Sequence, residues 1–115
     1  MTEPRLKTEI RIAAHIRRAH AGGAFATIAR KGDPDAGAVA VKVYLGAGVA
    51  RLYVQSRDLD GNAIWRDPFE FDDAPTDGSE PRIDAWLAKE ASIDPDLWIV
   101  EIEDREGRAF LDGEL

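Results

Sequence analysis

Ala38-Val39-Ala40-Val41-Lys42-Val43-Tyr44-Leu45-Gly46-Ala47-Gly48, continued by Arg51-Leu52-Tyr53-Val54-Gln55-Ser56, decides the fold class of this chain. β-Branched residues at alternate positions put Val39, Val41 and Val43 on one face of a strand. Gly46-Ala47-Gly48 then forms a tight turn into a second strand whose inward pair is Leu52 and Val54. An antiparallel hairpin is therefore the centre from which the rest is assigned.

Upstream, Phe25-Ala26-Thr27-Ile28-Ala29-Arg30 has period two and reads as another strand, separated from the hairpin by the turn Lys31-Gly32-Asp33-Pro34-Asp35-Ala36-Gly37. Before it, the segment from about Lys7 to Ala21 has helical periodicity. Leu6, Ile10, Ile12, Ala13, Ile16 and Ala19 gather on one broad side, and Lys7, Arg11, His15 and Arg18 form a stripe read as solvated. Gly22-Gly23 supplies the stop. Downstream, the turn Arg57–Asn62 leads into a less regular fourth strand, Ala63–Phe71, which Pro68 should place at an edge or end early. Asp72–Gly78 reads as an exposed loop, and Ser79 is placed to cap a second helix buried through Ile83, Trp86 and Leu87. Leu97–Glu103 is the last long strand, with a turn at Arg105-Glu106-Gly107 into a short strand Arg108–Leu111. The expected fold is one α+β domain over residues 1–115, ordered α-β-β-β-β-α-β, with a mostly antiparallel five-stranded sheet. A helical crossover of this length also allows parallel pairing of the last strand, with a right-handed connection.

At 115 residues the chain has room for one core. With 44% apolar and 32% charged residues and a mean hydropathy of -0.33, it has the composition of a globular domain. It shows neither a membrane-spanning run nor the order of a signal peptide, so a cytoplasmic protein with no membrane partner is expected. The absence of cysteine removes disulfides, a thiol nucleophile and a cysteine zinc site. A net charge of -7 opposes bulk attraction to nucleic acid, but the charge is uneven: residues 1–57 carry +6 and residues 58–115 carry -13. Cross-strand neutralisation between the halves is the simplest consequence.

Neither glycine cluster precedes a helix, so neither Gly46-Ala47-Gly48 nor Gly32–Gly37 has the context of a phosphate-binding loop. His15 and His20 are five apart, which separates them by about 140° on a regular helix and keeps them from one metal. Carboxylates are the better candidates. Glu101 and Glu103 share a strand face, Asp104 follows, and Asp33 and Asp35 lie in a loop that could approach them as oxygen ligands for Mg²⁺, Mn²⁺ or Ca²⁺. Against this stands simple pairing of Glu101 and Glu103 with Lys42, Arg51 or Arg57, and no metal or other cofactor is expected.

The order of elements resembles the core of restriction-endonuclease-like nucleases. That resemblance implies an acid at the start of the second core strand and an acid-x-Lys pair in the third. Here those strands read Gly37-Ala38-Val39 and Tyr53-Val54-Gln55-Ser56-Arg57, and Asp35 with Glu9 does not complete the set. A fuller resemblance is carried by Arg30–Gly37 running into the Val-rich strand, together with Asp94-Pro95-Asp96-Leu97-Trp98-Ile99-Val100-Glu101-Ile102-Glu103-Asp104-Arg105. In these residues and in length the chain resembles the bacterial family known as domain of unknown function 1491. The resemblance implies a small single-domain bacterial protein and carries over no catalytic residue. The expected function is a non-catalytic module for an unknown protein partner, with Lys7, Arg11, His15, Arg18 and an exposed Trp65 as its surface. The alternative is an inactive or metal-dependent nuclease-like protein associated with nucleic acid.

Overall fold

A computed structural model describes residues 6–69 and 79–112. Its elements are α1 (Thr8–Ala21), β1 (Phe25–Arg30), β2 (Val39–Gly46), β3 (Val49–Arg57), β4 (Ala63–Arg66), α2 (Ser79–Ile93) and β5 (Trp98–Glu103). The expected α+β class and element order hold. The strands form one sheet in the order β1-β5-β2-β3-β4. Pairings β1–β5, β2–β3 and β3–β4 are antiparallel, and β2–β5 is parallel, so the sheet is mixed. β5 inserts between β1 and β2 instead of joining an edge. The physical cause is two-sided burial: Leu97 to Val100 is a continuous apolar run, which suits a strand covered on both faces.

Each face of the sheet has its own core. On one side α1 packs over Val39, Val41, Val43, Val100, Ile102 and Trp98, with Ala109, Phe110 and Leu111 of the C-terminal segment closing the layer. On the other, Ile83 and Leu87 of α2 pack on Ala40, Ala50, Leu52, Leu97 and Ile99. Trp86 is only partly buried there, whereas Trp98 is in the core.

Three local readings are corrected. The buried stripe of α1 is Thr8, Ile12, His15 and Ala19, while Leu6, Ile10 and Ala13 face outward. Counting apolar residues misplaces this face because two of its members are polar side chains satisfied inside: Thr8 Oγ1 donates to the Gly37 carbonyl at 3.1 Å and His15 Nε2 bonds the Ala109 carbonyl at 2.7 Å. Ser79 does not cap its own helix; its hydroxyl accepts from Ala50 N and donates to Ala50 O, fastening the start of α2 to β3. β4 is an edge strand and ends at Arg66, before Pro68, as that proline leads one to expect. Residues 108–111 form no strand, because the segment lies on α1 and the core, not at a sheet edge. The Asp72–Gly78 loop, and Glu70 and Phe71 of the expected fourth strand, lie outside the described residues.

The loop before β2 joins three elements. Thr8 N and Glu9 N, the first amides of α1, donate to the carbonyls of Asp35 and Pro34, which satisfies a helix end that has no side-chain cap. Asp33 N donates to Asp96 O, and the Trp98 indole donates to Asp33 O at 2.7 Å. A Cβ on Gly32 would stand 1.9 Å from the Asp96 carbonyl oxygen. Gly32→Ala is therefore expected to destabilise the chain by about 2 kcal/mol through overpacking against backbone that cannot yield cheaply. Urea unfolding measures it, and a midpoint equal to that of the native sequence would refute this packing.

Candidate functional site

The α1 stripe is occupied from within the chain. Arg11 pairs with Asp112 through two bonds of 3.2 and 3.3 Å, Arg18 donates twice to the Phe110 carbonyl, and His15 holds Ala109. The Trp65 indole donates to the Asp112 carbonyl, so four side chains grip residues 109–112. Trp65 is only 5% exposed and His15 only 3%, which corrects their place on an exposed interaction surface. Lys7 remains in solvent, 3.6 Å from Asp35.

Burial pushes the His15 pKa below its ordinary value; the bond to Ala109 opposes that shift and the Arg18 charge adds to it. The folded chain therefore resists charging a group that charges freely once unfolded. Its contribution is complete above the unfolded value of about 6.5 and is lost as pH falls through the lower folded value. Melting temperature is expected to drop between pH 7.5 and 5.5, and His15→Gln to flatten that drop. An unchanged slope in the variant would refute the assignment. Asp58 and Asp104 are held below the carboxylate range by hydrogen bonds, from Asn62 and Arg108 respectively, so their losses come at lower pH.

On the opposite face the centre of the sheet holds a buried cation. Lys42 lies beside Glu101 in the parallel register, and its side chain is 7% exposed. Its Nζ lies 2.7 Å from Asp84, 2.9 Å from Glu80 and 3.6 Å from Glu101. Glu80 and Asp84 are one turn apart on α2, so the helix brings two carboxylates down on one ammonium. Burial pulls the Lys42 pKa down, and the bonds and charges of Asp84 and Glu80 outweigh it, holding the group protonated above its usual range.

The five candidate oxygen ligands do not converge. Asp33 accepts the amides of Asp35 and Ala36, Asp35 faces Lys7, Glu101 faces Lys42, and Asp104 accepts from Arg108 at 2.9 and 3.0 Å. Among the described residues no three His, Cys, Asp or Glu side chains are placed to hold a metal ion. Glu103 differs: it is exposed and makes no side-chain hydrogen bond or ion pair among the described residues.

Glu103 stands in a row across three strands, between Phe25 of β1 and Tyr44 of β2. α2 covers β3 and β2 on this face, and the β1 side is open, with Phe25 61% exposed. An open cavity of about 580 Å³ lies at this end, lined by the row with Leu45, Arg105 and Arg108. The Phe25 site is not legible from composition, but one signal points to it: Phe25 alternates out of register with Ala26 and Ile28, which face the core.

Among the described residues no helix is long and apolar enough to cross a membrane. No curated protein matches the chain. Two structures of a DUF1491 family protein from Caulobacter crescentus do. Its crystal structure is 50% identical, covers 96% of this chain and 98% of its own, and superposes with a TM-score of 0.83. Its NMR structure is 48% identical with 97% of each chain covered and the same TM-score of 0.83. The solution structure of a protein from A. tumefaciens is 31% identical, covers 97% of this chain and 100% of its own, and gives a TM-score of 0.73. Residues 6–112 match the family described as "Protein of unknown function (DUF1491)", and by that match and these structures the chain belongs to the DUF1491 family.

Proposed function

We propose that this chain is a bacterial, cytoplasmic, non-catalytic module that binds another protein through the open end of its sheet, around Phe25, Glu103 and Tyr44. The observation that carries this reading is the contrast between this end and the rest of the chain. Lys42, His15, Glu101, Asp33 and Asp104 are bound to structural partners, while a large aromatic ring and a carboxylate with no partner among the described residues face solvent together. Isolated exposed apolar residues are ordinary, but an aromatic beside a cavity and a free charge has the composition of an interface anchor. The α1 stripe is set aside as the surface because the chain's own C-terminal segment uses it.

Affinity capture from bacterial lysate tests the reading with the native sequence, Phe25→Ser and the distant control Arg66→Ala. One protein retained by the native sequence and the control, and lost with Phe25→Ser, is the expected result. Metal-dependent cleavage of single-stranded or duplex nucleic acid by the purified chain, abolished by Glu101→Gln, would overturn it.

A further inference from the structure

We infer that the Phe25–Glu103–Tyr44 row receives a Lys or Arg side chain from an extended segment of the partner protein; this rests on the interaction reading above and names the chemistry of its ligand. The three residues are neighbours on one face, paired Phe25 to Glu103 and Glu103 to Tyr44. With strands about 4.8 Å apart, the two aromatic positions lie roughly 10 Å apart with the carboxylate midway. A cation seated on Glu103 then stands between two aromatic positions, where a ring face brought within about 6 Å adds cation–π attraction. The ring of Tyr44 is positioned by its own contacts: it packs against the α2-side core, and its hydroxyl accepts from Gly48 N at 3.2 Å.

Charge selects the occupant further. Arg108 lies against Asp104 and Glu106, so within the cavity the groups without a partner among the described residues are Glu103 and Arg105. A basic side chain therefore meets Glu103, and an acidic side chain close to it in the same segment meets Arg105. The surroundings favour the cation, because Glu80, Asp84 and Glu101 stand on the same side of the sheet with Lys42 as their common counter-charge. An anionic or purely apolar segment would leave Glu103 facing it unpaired, which disfavours both.

The test uses the full chain labelled with ¹⁵N and two acetylated, amidated pentapeptides, Gly-Lys-Gly-Asp-Gly and the same peptide with norleucine for lysine. The lysine peptide is expected to shift the amides of Phe25, Tyr44 and Glu103 saturably, and to bind at least tenfold more tightly than the norleucine peptide. Glu103→Gln and Phe25→Ala should each weaken it at least fivefold while leaving the melting temperature unchanged. Equal affinity for the two peptides, no shift at these amides, or binding indifferent to Glu103→Gln would overturn the inference. If lysate capture still depends on Phe25 in that case, the interaction reading stands and the ligand chemistry falls alone.

Discussion

Trp98→Ala is expected to lower the unfolding free energy by about 3–5 kcal/mol, as large-to-small aromatic changes in cores do. The residue begins the inner strand β5, is buried in the α1-side core, and donates its indole proton to the Asp33 carbonyl at 2.7 Å. Truncation would leave a cavity under α1, deprive that carbonyl of its donor and loosen the loop that also caps α1 through Thr8 N and Glu9 N. Trp98→Phe keeps most of the volume and removes the donor, so its cost should be smaller, about 1–3 kcal/mol. Urea unfolding of both variants orders them. A cost below about 1 kcal/mol for Trp98→Ala would contradict the docking of this loop on β5.

Lys42→Ala should be the next largest, about 3 kcal/mol. Removing the ammonium leaves Glu80, Asp84 and Glu101 facing one another, and the partial exposure of those carboxylates puts the cost at the low end for a broken buried pair. Lys42→Met, which keeps the apolar stem, should lose less. The pH dependence has a definite sign. Because the folded pKa lies above the unfolded value of 10.5, the stabilisation is complete below that value and is lost as pH rises through the folded one. The native sequence should therefore lose stability at alkaline pH, with a steeper fall than Lys42→Met. Parallel alkaline melting profiles for the two would contradict this role.

The hairpin β2–β3, the strand β1 and both helices were legible because each carries a local period, and the parallel place of β5 was allowed by the length of its crossover. Insertion of β5 between β1 and β2 was not, since strand order depends on which faces are covered, and only the unbroken run Leu97–Val100 hints at two-sided burial. The resemblance to the family rested on residues 30–37 and 94–105, and these two segments meet: Asp33 N on Asp96 O, Arg30 on the carbonyls of Pro95 and Leu97, Gly32 against Asp96. The stretches that identify the chain are thus a structural joint. The site was harder to read. His15 and Trp65 have polar tips that find partners only in the distant residues 109 and 112, and no local pattern reports that. The Glu101–Lys42 pair follows from cross-strand neutralisation, whereas Glu80 and Asp84 join it only through the docking of α2.

The central claim is that the carboxylates around β5 serve as counter-charges within the fold, leaving Glu103 for recognition. Thermal melts of the full chain in EDTA, in millimolar Mn²⁺ and in millimolar Ca²⁺ test it most directly, because an ion bound only by the folded state at a hundredfold excess over its dissociation constant adds about 2.7 kcal/mol. Superimposable curves are the predicted result; a metal-dependent rise in melting temperature that Glu101→Gln abolishes would contradict it.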